Sequence, residues 1–480
     1  MRRSAPPCAA CRRHRRQTRR LEREVLRLRA ENQELREEVG RLQQLLEAER
    51  RATKRQAAPF SKGEPKAAPK RPGRKAGSRY GRKAHRPPPE HVDQELEAPL
   101  PPECPDCGGS LEPLEVADQY QTELPPIRPH VTRFRVAIGR CRLCSRRVQG
   151  RHPQQTSNAL GAAASQIGPR AQAVAAHLNK ELGLSFGKTR RVLQDVFGIS
   201  VTRGGWSQAI ARVGRTAEPT WEALRIWVRQ APVVIPDETG WKVGGRLQWL
   251  WVFVTPEVTV YAILPGRGFE QACQVLDADY DGNLARDGWA PYRKFVHATH
   301  QTCLGHLLRR CRGILETAQR GGARFPRAVK RILQQALALR DRRDAGSISP
   351  HGLAVAVGRL EARMDRLLAW TPKVEANRKL RKHLRQERTA LFTFLRDPRV
   401  PATNWPAEQA IRPAVVTRRV WGGNRTWPGA HTHEVLASLM RTCRQQKMDP
   451  LPLLADLLCS PDLRVAQELA PSWARAKGVP

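Results

Sequence analysis

The sequence predicts a multidomain protein: an N-terminal coiled coil, a zinc-binding module, a helical region with a helix-turn-helix outline, and an α/β domain split by a helical insertion. Three observations carry this reading. Leu21, Leu28, Leu35 and Leu42 recur every seven residues, the repeat of a coiled-coil seam. Cys104-Pro-Asp-Cys107 and Cys141-Arg-Leu-Cys144 are paired knuckles, and four thiolates close a tetrahedral structural zinc site. From Val233 short β-branched runs appear, until a basic helical stretch intervenes over about 312–400. A chain of 480 residues is expected to hold several domains.

Residues 1–20 form a basic arm with eight arginines and no acid. Its Cys8 and Cys11 make a CxxC without a second half, which reads as solvent-exposed tail. Pro6-Pro7 argue against one continuous basic helix running into the next segment. Residues 21–50 are the leucine zipper. Val25, Asn32, Val39 and Leu46 fill the second seam position. β-branched or polar residues there, with leucine at the other, favour a parallel dimer, and one buried Asn32 fixes its register. Glu24 with Arg29, and Glu31 with Arg36, are spaced for interchain ion pairs.

Residues 51–95 read as a basic disordered linker, with thirteen basic residues and one acid between Arg51 and Arg86. Such a composition cannot bury a core. Lys70, Arg71, Arg74, Lys75 and Arg82 flank glycines in the manner of minor-groove arms; a solvated linker touching phosphates is the alternative. Residues 96–153 are the zinc module, its knuckles separated by 33 residues expected to be β-like. Over 154–228, Ser185–Phe197, a turn at Gly198-Ile199 and Thr202–Val213 outline a helix-turn-helix. Lys188, Arg190, Arg191 and Arg203 supply its charge. The alternative is a core helical hairpin, and Gly204-Gly205 weaken the second helix.

Residues 229–460 carry the chemistry. Val233-Val234-Ile235 should be a strand with Asp237 at its end. Gln248–Val254 and Val258–Leu264 read as a hairpin. Asn283–Arg286 is a short strand before Asp287. Asp277, Asp279 and Asp281 imitate a calcium loop, but its twelfth position is Gly288 rather than glutamate, which excludes an EF-hand. Asp281 remains a competitor to Asp287. His297, His300, Cys303 and His306 could form a second zinc site, but packing behind the active site is favoured. The 121 residues from Asp287 to Glu408 require the inserted helical subdomain. Glu408 opens a helix, with Arg412 one turn later on the same face. Arg412, Arg418 and Arg419 beside it suit DNA contact or a solvated face. Residues 461–480 read as a loose tail.

Two strand-borne aspartates and a helix-borne glutamate can hold two Mg²⁺ (or Mn²⁺) ions, which stabilise the attacking and leaving oxygens of a phosphoryl displacement. The words around them, DETGW, DGWAPYR, HQTCLGHLLRR and AEQAIRP, occur in this order. Together they resemble the transposases of the insertion-sequence-66 family over most of the chain, from the coiled coil to Pro450–Leu458. The resemblance implies an Asp-Asp-Glu triad, with Asp237, Asp287 and Glu408 as its members, on a ribonuclease-H-like catalytic domain. It also implies the zinc module, a Cys303-x-x-His306 signature, and small accessory proteins encoded by the same element. The chain departs from the family at Gly240-Trp241, Trp405-Pro406 and Gln409.

The net charge of +39 points to a polyanionic partner, most simply DNA. No apolar run reaches transmembrane length and no signal core opens the chain, so a cytoplasmic, nucleoid-associated bacterial protein is expected. CxxC pairs in a reducing compartment favour metal over disulfides. The expectation is a dimeric DNA transposase; the alternatives are an inactive, DNA-binding regulator of transposase descent, or a structure-selective nuclease on the same fold.

Overall fold

The computed structural model describes residues 9–53, 87–163, 165–319, 321–460 and 464–477. The chain forms two units, Met1–Thr122 and Glu123–Pro480. In the first, a single helix α1 (Ala9–Thr53) runs without a break from the arginine-rich arm through the heptads. From Ala9 onward the arm is helical and continuous with the zipper, contrary to the expectation for the arm, while Pro6-Pro7 lie outside the described residues. Its seam residues Leu21, Val25, Leu28, Leu35, Val39 and Leu42 are between 46% and 60% exposed. Lys70, Arg71, Arg74, Lys75 and Arg82 lie outside the described residues. Cys104–Gly109 is a tight turn, with Gly108 N–H donating to Cys104 O at 2.8 Å.

The second unit opens with a hairpin of β1 (Ile138–Arg140) and β2 (Arg147–Gln149), whose turn is the Cys141–Arg146 knuckle. The stretch between the knuckles, expected to be β-like, holds no strand over 110–137. Pro113, Pro125, Pro126 and Pro129 each remove a ladder donor there.

Helices α2 (Pro169–Ala176), α3 (Phe186–Asp195) and α4 (Arg203–Arg229) follow. Ser185 and Thr202 cap α3 and α4 through their hydroxyls. The two glycines after Thr202 cost little because they fall in the first turn, where helix hydrogen bonds are incomplete. α4 runs sixteen residues beyond the predicted Val213, because Trp206, Ile210, Val213, Ala217, Trp221, Leu224 and Val228 repeat on one face and are buried.

That face covers a five-stranded sheet in the order β5-β4-β3-β6-β7: β3 (Val233–Val243), β4 (Arg246–Val254), β5 (Thr259–Leu264), β6 (Asn283–Arg286) and β7 (Thr299–Thr302). The first three form an antiparallel meander, and β6 and β7 add in parallel. Helix α5 (Phe269–Leu276) joins β5 to β6. The insertion comprises α6 (Leu304–Thr317), α7 (Arg324–Asp344), α8 (Pro350–Ala369), α9 (Glu375–Gln386) and α10 (Thr393–Arg396). The chain returns through α11 (Trp405–Trp421), α12 (Trp427–Gln445) and α13 (Pro450–Cys459).

Two apolar cores flank the sheet. Val234, Trp251 and Phe253 pack with α4, α5, α12 and α13 on one face. Val233, Ile235 and Trp241 pack with α11 and the insertion on the other. The period-two alternation of a strand assigns them. Helix α12 also covers the open edge of β5. Its Glu434, Ser438 and Thr442, one turn apart, accept from the backbone N–H groups of Ile263, Tyr261 and Thr259, so the edge offers no template for another strand.

Two expected boundaries fail. Residues 154–228 are not separable from 229–460, since α4 is a layer of the same core. Within the expected tail, residues 464–477 are not loose, since Ala466, Leu469, Ala470 and Ala474 are buried in that core.

Candidate active site

Asp237 lies within β3, not at its end: pairing with β4 continues to Val243↔Arg246. What ends near it is the pairing with β6, whose last partners are Val234 and Leu284. Asp237 and Asp287 each stand three residues beyond that shared pair. Parallel strands rise alike, about 3.3 Å per residue, so the two aspartates reach the same level of the sheet as β3 and β6 part. Pro236 has no N–H to give and sits where β3 pairs with β4 alone.

Glu408 arrives from the layer above. It occupies the first turn of α11, which packs against β3 and β4 on the face that Asp237 shares. Its Oε1 is 3.7 Å from His306 Nε2 and 3.9 Å from Arg309 Nη2, both on α6. Asp287 and Glu408 both act on Asp237. Burial, then the negative charges of Glu238 and Asp287, with a smaller push from Glu408, hold the Asp237 carboxyl well above the usual carboxylate range. Asp281 is exposed ahead of β6 and takes no part in this.

Each aspartate is braced by groups that the motifs did not flag. Asp287 Oδ1 accepts from the Trp289 N–H at 2.8 Å. The preceding Arg286 is buried and lies 2.8 Å from Glu387, at the end of α9; Arg293 reaches the same carboxylate at 3.0 Å. A Cβ on Gly288 would come within 2.6 Å of His383, one turn before Glu387. The insertion thus grips the loop that carries Asp287. Beside Asp237, Glu238 points to the opposite face, where Arg267 Nε bonds it at 2.6 Å and the Tyr292 hydroxyl donates to it. No spacing rule marks Glu387 or Glu238, because their partners lie far away in sequence.

The basic candidates divide. Lys188, Arg190, Arg191 and Arg203 line one open cavity of about 590 Å³, together with Ser185 and Thr202, where the starts of α3 and α4 meet. Arg412 and Arg419 are exposed on α11. Arg418 corrects the expectation: it is 5% exposed and donates to Thr239 Oγ1 at 2.8 Å and to Gly240 O, fastening α11 to β3. At four residues from Ala414 and three from Val415, its position follows the buried stripe of that helix.

The histidine and cysteine group after Asp287 is not gathered round a metal. His297 is exposed. His300 Nδ1 is 3.2 Å from Arg286 Nε, and its Nε2 is 2.9 Å from Phe295 O. Cys303 caps α6, its thiol raised by burial and partly lowered by backbone bonds from Asn404, His306 and Gly305. Among the described residues, no three His, Cys, Asp or Glu side chains form a cluster able to hold an ion. In the two knuckles, backbone hydrogen bonds from Asp106 and Cys107 lower the Cys104 thiol, and those from Cys144 and Leu143 lower Cys141. Among the described residues no helix is long and apolar enough to cross a membrane.

The model of the family described as Transposase IS66 family matches residues 164–432, from just before α2 into α12. Two proteins of Sinorhizobium fredii are similar to the chain. Uncharacterized protein y4qI is 24% identical over 309 residues, 56% of this chain and 54% of that protein. Uncharacterized protein y4hP is 37% identical over 87 residues, 17% of this chain and 16% of that protein. The chain therefore spans about half the length of the first and a small part of the second.

Proposed function

The chain belongs to the IS66 family of transposases, and from that premise we propose that it cuts DNA at the ends of an insertion element and joins the freed 3′-OH to target DNA. One observation carries the reading: Asp237 and Asp287 reach the same level on parting parallel strands, and Glu408 enters from α11, so that the other two charges of the trio bear on Asp237. The strand order, with three antiparallel strands and two added in parallel, supports a ribonuclease-H-like core.

The trio is made of hard oxygen donors, and its mutual repulsion calls for a divalent cation. Mg²⁺ or Mn²⁺ fits: each takes one or two carboxylates and completes its shell with phosphate oxygens and water, so no cluster of three protein ligands is needed. Asp237, Asp287 and Glu408 would be the residues that hold them. When bound, the ions supply charge stabilisation to the attacking and leaving oxygens. The chain's own groups set the geometry. The Arg286–Glu387 pair and the Trp289 N–H orient Asp287, and Arg418 fixes α11 and hence Glu408. Water attacks phosphorus in line and the P–O3′ bond breaks, leaving a 3′-OH on the element. That hydroxyl then attacks a target phosphorus and displaces its 3′ oxygen, so no protein-linked intermediate is required.

The remaining parts would find and pair the ends. The cationic cavity between α3 and α4 suits phosphate contacts, and the basic linker adds nonspecific ones. The exposed seam of α1 suits pairing with a second copy. Cys104, Cys107, Cys141 and Cys144 are the donors for one structural zinc, with backbone N–H groups favouring the thiolate in each knuckle. Accessory proteins of the same element are a further expected partner.

The test is strand transfer by purified protein on the ends of the DNA element flanking its own reading frame. Joined products carry the proposal. Hydrolysis without joining would indicate a nuclease, and binding without cutting in Mg²⁺ or Mn²⁺ a regulator.

A further inference from the structure

Trp289 holds a large apolar ring beside the second aspartate, and nothing above uses it. The residue is 37% exposed, yet it is pinned at two points. Its backbone N–H donates to Asp287 Oδ1 at 2.8 Å, and its indole Nε1 donates to Arg267 O at 3.2 Å. The Arg267 guanidinium lies 4.0 Å from its ring centroid and 4.9 Å from that of Trp249. Arg267 is in turn held at 2.6 Å by Glu238, the neighbour of Asp237. Trp289 is thus tied to Asp287 and, through Arg267, to the residue that follows Asp237.

Topology puts this assembly at the catalytic edge. β3 and β5 are both antiparallel to β4, and β6 is parallel to β3. The ends of β5 and β6 therefore lie on the same side of the sheet. Arg267 follows the first and Trp289 the second. The carboxylates approach from one face; Glu238 and Arg267 line the other.

A ring held in one orientation with uncovered surface has already lost the freedom that binding would remove. In a chain of net charge +39, next to carboxylates suited to phosphodiester chemistry, the flat partner that fits is a nucleobase, with the guanidinium near its phosphate. A base inside a duplex has both faces covered, so the one that reaches Trp289 must have left the stack. We infer that Trp289, backed by Arg267, is a stacking platform for an unpaired nucleobase adjoining the scissile phosphate. This deepens the transposase reading and rests on it for the identity of the DNA.

The experiment uses the full chain and a duplex carrying the end of the flanking element, with 5-iodouracil placed singly at the positions either side of the cleavage point. Irradiation crosslinks the halogenated base to an aromatic ring in contact, and peptide mapping finds the ring. The expected result is a crosslink to Trp289 from one position only. In parallel, Trp289→Ala lowers the cleavage rate about tenfold or more, as loss of one base–aromatic stack implies, while Trp289→Phe restores most of it and duplex affinity stays within about threefold. DNA-bound protein that gives no Trp289 crosslink overturns the platform, as does a folded Trp289→Ala chain that cuts at the wild-type rate. The parent reading fails separately: protein that crosslinks through Trp289 but never cuts keeps the platform and loses the transposase. Protein that does not bind the duplex loses both.

Discussion

Glu387, at the end of an inserted helix, lies 2.8 Å from Arg286, the residue before Asp287, and both are all but inaccessible to solvent. The pair ties a subdomain remote in sequence to the strand that carries the second carboxylate. Removing the acid alone leaves Arg286 charged and buried, which costs about 3–5 kcal/mol. Glu387→Ala should therefore lower the denaturant midpoint clearly and, by releasing the Asp287 loop, abolish cleavage. Glu387→Gln, which keeps the shape and an acceptor, should lose less of both. An unchanged midpoint for Glu387→Ala would show that the clamp does not hold in solution.

Replacing Asp237, Asp287 or Glu408 singly by alanine should abolish cleavage and strand transfer while leaving DNA binding nearly intact, since each supplies charge that phosphodiester displacement needs. Asp281→Ala should behave as wild type, because that side chain is exposed ahead of β6. Full activity in Asp287→Ala with loss in Asp281→Ala would reverse the assignment of the second carboxylate.

Much of this site could be read from residue order. β-branched runs marked the strands, and short words around three acids marked the trio. Boundaries were less legible. A strand was expected to stop at Asp237, but its edge residues beyond it still pair with β4. A helix was expected to stop at Val213, but the apolar face of α4 continues. The tail looked loose because its few apolar residues show no long repeat, yet they fill gaps in an existing core. Arg418 read as a surface cation because its partners, Thr239 and Gly240, lie on another segment. Groups defined only by distant partners, such as Glu387, leave no local trace.

Two histidines of α12 should give stability a pH optimum. His431 bridges Glu434 and Glu218, each at 2.9 Å, and the Glu434 hydrogen bond leads in raising it to about 9. His433 stacks on Trp241, its ring nitrogens have no hydrogen-bond partner among the described residues, and burial pulls it down to about 3. An unfolded histidine titrates near about 6.5. The raised group contributes fully below that value and loses its contribution as pH rises through about 9. The depressed group contributes fully above about 6.5 and loses its contribution as pH falls toward about 3. Thermal midpoints should decline on both sides, steeply on the acid side and mildly on the alkaline side, where His431 is partly exposed. His431→Gln should flatten only the alkaline limb. Equal slopes in wild type and variant between pH 7 and 9 would remove this account.

Freshly purified protein should contain about one zinc per chain, bound by Cys104, Cys107, Cys141 and Cys144. Cys104→Ser should release it and weaken selection of element ends, with the sheet domain still folded. Metal analysis showing no zinc would refute the four-thiolate site and leave two independent turns.

The seam of α1 makes the last prediction. Leu21, Leu28, Leu35 and Leu42 are each more than half exposed along one helix, and among the described residues the first unit offers no second helix to cover them. A seven-residue repeat matches a second identical helix better than a flat core. A peptide spanning Leu21–Leu46 should therefore sediment as a parallel dimer. Asn32→Val should raise its melting temperature while loosening register or oligomeric state, because a buried asparagine costs stability and enforces one alignment. A peptide that stays monomeric at high concentration would remove this helix as the means of pairing two element ends.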